Sequence, residues 1–140
     1  MPELNNQNFN HLKIHTQYSI CEGAIKIDNL KDFCKEKKIP CLGLSDTSNL
    51  CGALEFAENI SKAGTQPIIG TQIYFKFEDT TGLLPLIALN ENGYKRIIEL
   101  SSRSYLENDA LSDPHLDIKE LLIDTEGVSL LSGTIQGLFG

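Results

Sequence analysis

The run CLGLS, residues 41–45, stands directly behind Pro40 and directly before the turn-forming DTSN. Its apolar residues do not alternate with polar ones, so neither face of it suits water. A short, largely apolar run of this kind fits a parallel strand enclosed on both sides. The flanking segments have a helical period instead. Leu30, Phe33 and Cys34 form a stripe behind a cap at Asp28, with Ile27 packing from outside that cap. Beyond the turn, Asn49 is placed to cap a helix over residues 50–63. Its buried face is predicted as Leu50, Ala53, Leu54, Ala57 and Ile60, and Gly64 ends it. Upstream, HLKIH alternates: Leu12 and Ile14 fall on one face, and His11, Lys13 and His15 on the other.

The same reading runs on along the chain. PIIG, residues 67–70, opens a strand that QIYFKF continues, and LPLIAL, residues 84–89, is a further strand with Pro85 expected near its beginning. A third helix carries Tyr94, Ile97, Ile98 and Ser101 on one side. A short helix near residues 117–123 and the strand VSLLS, residues 128–132, follow. Alternating strands and helices predict an α/β fold with parallel strands. A closed eight-fold barrel needs more elements than 140 residues supply. The last residues, TIQGLFG, follow directly on a strand and read as a cut inside a larger fold. Residues 1–8 are expected to be a flexible arm, with one domain over residues 9–140.

Several functions are disfavoured. With 12 basic and 19 acidic side chains the net charge is −7, which argues against a broad nucleic-acid grip. Lys35, Lys37 and Lys38 are the one basic cluster, interrupted by Glu36, and read as a solvated helix end. No apolar leader and no membrane-length run is present, so a cytoplasmic location is expected. Cys21, Cys34, Cys41 and Cys51 lack the tight spacing of a zinc knuckle and are expected to be free, buried thiols. Cys51 is less settled because it begins a helix, and His115 is expected in an exposed loop. Gly64, Gly70 and Gly82 do not make a phosphate loop.

In an α/β fold, chemistry gathers beyond the carboxyl ends of strands. Residues 15–22, 46–49, 70–72 and 132–134 lie at such ends. His15, Glu22 and Asp46 are the ligand-type residues among them, and three scattered polar residues do not establish a site.

The strings HLKIHTQYSICEGA, PCLGLSDTSNLCGALEFAENISKAGTQPIIGTQIY and ALNENGYKRIIELSSRSYL, followed by VSLLSGTIQG, closely resemble one family. It is the PHP (polymerase and histidinol phosphatase) domain that begins the alpha subunit of bacterial DNA polymerase III. The resemblance covers about residues 9–137, in order and with similar spacing. It implies the N-terminal part of a distorted (β/α)7-like PHP barrel, truncated on its C-terminal side. Family members that keep a metal site carry His-x-His where Lys13 and His15 stand. They have an acidic residue at Glu22 and read Asp-His-Gly-Asn where this chain has Asp46, Thr47, Ser48 and Asn49. They place a glutamate at Gln72, a histidine near Leu83 and a cysteine near Thr134.

The resemblance therefore implies a degenerate, non-hydrolytic site with no metal or other cofactor in this chain. Lys13 is expected to pair with Glu22 or Asp46. The implied parent is a DNA-directed DNA polymerase that uses Mg2+ to transfer deoxynucleotides onto a primer, with its polymerase residues downstream. This chain alone is expected to be inactive. Its implied partners are the rest of the alpha subunit, the proofreading exonuclease subunit and, through downstream regions, the sliding clamp. Membrane and direct DNA contact are not expected. Two alternatives stand beside this: a stand-alone metal-dependent PHP phosphoesterase or exonuclease, and a soluble α/β protein-binding module.

Overall fold

In the computed structural model, residues 9–133 and 137–139 are described. The expected arm, residues 1–8, and Thr134 lie outside them. The apolar run begins as β1 (Cys41–Gly43), enclosed on both sides as its sequence requires. On one side, residues 11–14 lie along it: Gly43 N donates to His11 O at 2.7 Å and Ile14 N donates to Gly43 O at 3.1 Å. On the other it pairs in parallel with β3 (Gln66–Ile68). Gly43 permits the close approach, because a Cβ there would stand 2.6 Å from Leu12 Cα.

The expected strand at residues 11–15 is reduced to one parallel bridge, between Ile14 and Leu44. The chain then turns at Thr16, whose polar groups are drawn to Asp46. Past Leu44 the β1 line resumes as β2 (Asp46–Thr47), parallel to β4 (Gly70–Phe77).

The all-parallel expectation needs correction. β4 runs antiparallel to β5 (Thr80–Ala88), and β5 runs antiparallel to β7 (Val128–Leu130). Only Glu78 and Asp79 separate β4 from β5, and Glu78 takes φ 53°. Two residues make a hairpin and leave no length for a crossover. Pro85 is correspondingly inside β5, paired with Gln72. Its carbonyl faces Leu131 N at 3.0 Å, so its nitrogen faces the same side, where the β7 ladder has already ended and no donor is needed. His115 is not in a loop: β6 (His115–Asp117) pairs in parallel with β4.

The helices form close to where expected, but their buried faces are turned. α1 (Ile27–Lys37) starts before Asp28, so Asp28 lies in the first turn, Ile27 is a core residue and Phe33 is exposed. α2 (Ala53–Lys62) buries Ala53, Phe56 and Ile60, whereas Leu54 is 73% exposed. Asn49 caps the turn ahead of it, accepting from Cys51 N at 3.1 Å. α3 (Glu91–Leu106) is capped by Asn90, which accepts from Gly93 N at 2.9 Å, and buries Gly93, Arg96, Ile97, Leu100 and Ser104. Tyr94 and Ile98 lie on its outer side. Two features turn it. Gly93 lies against the Gly127 carbonyl, and Arg96 is bound to the carbonyls of Glu120 and Asp124. α4 (Ile118–Ile123) follows β6.

Two apolar clusters result. One joins α1 and α2 to β1 through Ile27, Cys34, Leu42, Phe56 and Ile60. The other joins α3 and α4 to β4 and β5 through Ile73, Phe75, Leu84, Leu86, Ile97 and Leu121. All four cysteines are free, as expected, but only Cys34 is buried; Cys21 and Cys51 are exposed. Among the described residues, no helix is long and apolar enough to cross a membrane.

Candidate functional site

The register of β2 on β4 sets the site. Asp46 lies opposite Thr71 and Thr47 opposite Gln72. Adjacent side chains on one sheet face can then bond: Gln72 Nε2 donates to Thr47 Oγ1 at 2.7 Å, and Thr47 Oγ1 donates to Glu22 Oε2. Thr47 thus links the loop carrying Glu22 to the second strand. The DTSN turn is held from both sides. Asn49 Nδ2 donates to the carbonyls of Tyr18 and Thr47 at 2.9 and 3.0 Å, and Tyr105 donates its hydroxyl to the carbonyl of Ser48 at 2.8 Å.

Asp46 has a different surrounding. It is 0% exposed, and its carboxylate accepts from Thr16 N at 2.6 Å, Thr16 Oγ1 at 2.6 Å and Ser19 Oγ at 2.7 Å. Ser19 Oγ in turn accepts from Thr47 N at 3.0 Å. A buried carboxylate is tolerated when its oxygens are bonded in this way. Thr16 and Ser19 were not singled out by the sequence. Their only signal is position, as hydroxyl residues directly beyond the HLKIH run.

Lys13, His15, Glu22, Gln72 and Leu83 line one cavity of about 420 Å3, together with Tyr74, Thr81, Gly82 and Gly137. Five of the eight sequence-predicted positions therefore meet there. Thr47 bonds two of them, Asp46 is not in the wall, and Thr134 lies outside the described residues. The expected pairing of Lys13 with Glu22 or Asp46 does not form: Lys13 is in no ion pair among the described residues. Asp46 is buried and bonded by Thr16 and Ser19, and Glu22 is turned to Thr47 through one oxygen. Among the described residues, two buried atoms of the cavity's lining residues, His15 Nδ1 and Gln72 Oε1, have no hydrogen-bond partner. A separate groove of about 460 Å3 between α2 and α3 is mostly apolar and gathers no convergent ionisable groups.

The donor set does not suit a divalent cation. Asp46 has spent its oxygens on three donors, Thr47 and Gln72 are neutral, and Lys13 brings a positive charge. Among the described residues, no three His, Cys, Asp or Glu side chains converge at metal-binding distance.

Tyr18, in the loop that carries Glu22, and Cys34, away from the site in the α1–α2 core, are electrostatically perturbed. Tyr18 donates to Glu55 Oε2 at 2.6 Å, and that hydrogen bond, followed by the charge of the same carboxylate, raises the phenol pKa. Burial raises the Cys34 thiol pKa. The Tyr18–Glu55 bond ties the 16–24 loop to α2 and so helps to hold Glu22 in place.

Residues 11–140 match the family profile described as the PHP domain. Across 98% of its length the chain is 37% identical to DNA polymerase III subunit alpha of Caulobacter vibrioides, covering 13% of that protein. It is 35% identical to the same subunit of Rickettsia felis across 94% of the chain and 11% of the relative. For Borreliella burgdorferi the identity is 36%, across 93% of the chain and 12% of the relative. The chain thus spans only a small part of the curated relatives it matches.

Among solved structures, it is similar to a candidate metal-dependent phosphoesterase from Bifidobacterium adolescentis. The TM-score is 0.57 at 16% identity, over 71% of this chain and 34% of that one. An amidohydrolase from Chromobacterium violaceum, with bound sulfate and no metal, gives a TM-score of 0.57 at 15% identity, over 69% of this chain and 33% of that one. At such identities the likeness is one of fold.

Proposed function

The chain belongs to the PHP domain family, and we propose that it acts as a metal-free PHP scaffold within a DNA polymerase III alpha subunit. One observation carries the reading: Gln72, Thr47 and Glu22 are closed on one another by hydrogen bonds. Metal-keeping relatives are expected to present ligands at these three positions. Here the Thr47 hydroxyl bonds the one acidic residue, the neutral Gln72 amide bonds Thr47 in turn, and Lys13 supplies positive charge beside them. The identity to alpha subunits of several bacteria supports the polymerase context.

In this role residues 9–140 form part of the domain that supports a polymerase core. The core, with Mg2+, performs the transfer of deoxynucleotides to a DNA primer in the cytoplasm. The chain contributes no hydrolytic chemistry of its own. Its acidic surface suits contacts with proteins, foremost the rest of the alpha subunit and the proofreading exonuclease subunit, better than contacts with DNA. The sliding clamp is reached through other regions of the parent protein.

The test pairs two measurements. Phosphodiester hydrolysis by the purified chain is followed with zinc or manganese added, and binding to the cognate proofreading subunit is followed by size-exclusion chromatography. The scaffold reading expects no metal-stimulated hydrolysis and a defined complex. Metal-stimulated hydrolysis that disappears in Glu22→Gln would replace it with the phosphoesterase reading.

A further inference from the structure

We propose that a small pocket at the C-terminal end of α3 takes an arginine side chain from a partner protein. The inference goes beyond the scaffold reading: it names a point of contact, and its outcome is independent of metal content at the PHP site. The pocket lies where α3 gives way to the segment leading into β6, with Tyr105, Asn108 and Asp109 in its wall. Its volume of about 260 Å3 is smaller than the roughly 300–1,000 Å3 of sites that enclose a whole small molecule, and suits one inserted side chain.

The side chains of the wall fix the chemistry of that visitor. Asn108 Nδ2 donates to the carbonyls of Ser104 at 2.8 Å and His115 at 2.6 Å. Both partners are acceptors, so turning the amide over would set oxygen against oxygen. Asn108 Oδ1 is thereby left as an acceptor with no donor among the described residues. Ser104 Oγ donates its hydrogen to Ser101 O at 2.7 Å, and Tyr105 donates its own to Ser48 O at 2.8 Å, so each offers only an acceptor oxygen. Ser112 contributes a hydroxyl that can turn to accept. Asp109 adds a carboxylate that is in no ion pair among the described residues. Among the described residues, no Lys, Arg or His side chain lines the pocket. Acceptors around a negative charge call for a ligand of donors around a positive one.

Arginine meets that demand. Its guanidinium is always charged, carries five N–H groups in one plane to serve separate acceptors, and stacks on aromatic rings. The ring of Tyr105 is 52% exposed and held in place by the bond to Ser48. The surroundings favour a protein as the source. Residues 107–117 carry Glu107, Asp109, Asp113 and Asp117 and no lysine or arginine, which repels a polyanion and attracts a basic segment. Leu106 and Leu111 flank Asp109 in sequence and are both exposed, so a polypeptide gains apolar contacts beside the anchor that a free cation would not.

Amide-resolved NMR titration of the full chain tests this at constant ionic strength. The probe is the peptide acetyl-Ala-Leu-Arg-Leu-Ala-amide, beside its citrulline counterpart as a neutral isostere. The arginine peptide is expected to bind at least about fivefold more tightly than the citrulline peptide, with shifts centred on the amides of Tyr105, Asn108, Asp109 and Ala110. Asp109→Asn, at an exposed position, is expected to weaken the arginine peptide by about fivefold. Glu58→Gln removes the same charge from an exposed position on α2 and is expected to leave binding unchanged. Equal affinity for the two peptides, shifts centred elsewhere, or unchanged binding in Asp109→Asn overturns the proposal. An equal loss in Glu58→Gln also overturns it, by reducing the effect to the overall negative charge of the chain.

Discussion

Thr16 gives Asp46 two hydrogen bonds of 2.6 Å, one from its backbone N–H and one from its hydroxyl. The pair joins the end of the first extended segment to the start of β2, and both residues are fully buried. A carboxylate at a position expected to ligate a metal in relatives is here a structural acceptor. Thr16→Val keeps the shape of the side chain and removes one of these donors. It is expected to lower unfolding stability by about 1–3 kcal/mol, read from urea melts. Ser19→Ala is expected to act in the same direction, because Ser19 supplies the third donor and also accepts from Thr47 N.

Lys13→Met gives the opposite expectation for stability. An exposed ammonium with no ion pair among the described residues can be replaced with a change within about 0.5 kcal/mol. A loss of several kcal/mol in the same urea melts would show that Lys13 is held by a carboxylate after all.

Tyr18 responds to pH through Glu55. The hydrogen bond and then the charge of Glu55 raise the folded pKa of the phenol above its unfolded value. The stabilisation is therefore complete below the unfolded phenol pKa, including at neutral pH. It is lost as pH rises through the raised folded value. Alkaline titration followed by phenolate absorbance is expected to show one tyrosine shifting to lower pH in Glu55→Gln. An unchanged titration would remove Tyr18 as the tie between the loop and α2.

The cysteines are expected to separate by reactivity. Cys21 and Cys51 are exposed, whereas Cys34 is buried with its thiol pKa raised by that burial. A thiol reagent at neutral pH is expected to modify Cys21 and Cys51 in the native protein and Cys34 only after denaturation. Peptide mapping by mass spectrometry assigns the sites, and early labelling of Cys34 would contradict its place in the core.

The sequence revealed strand and helix positions better than helix rotation or strand direction. CLGLS reads as an enclosed strand because its lack of alternation leaves it no wet face, and β1 is paired on both sides. The direction of β5 depends on Glu78 and Asp79 acting as a tight turn, and neither residue is a strong turn signal. In α3, Tyr94 and Ile98 compete with Ile97 and Leu100 for the inner face. The outcome is fixed by two distant contacts, of Gly93 with Gly127 and of Arg96 with the carbonyls of Glu120 in α4 and Asp124 at its end.

At the site, Lys13, His15, Glu22, Gln72 and Leu83 were legible through family resemblance and do meet in one cavity. The bonds of Thr16 and Ser19 to Asp46 were not, because they join a loop to a strand with no local pattern. The Lys13 pairing with Asp46 fails for the same reason: the donors that seal Asp46 come from the loop beyond the first extended segment.

The central claim is that this PHP site works without a metal, and metal content tests it most directly. Protein purified without chelator is challenged with zinc and with manganese, desalted and measured by elemental mass spectrometry, beside the triple variant Lys13→His/Thr47→His/Gln72→Glu. The account predicts less than about 0.1 metal per chain in the parent and a clear gain in the variant, whose new ligands restore anionic and imidazole donors around Glu22. Stoichiometric, tightly held metal in the parent would contradict it.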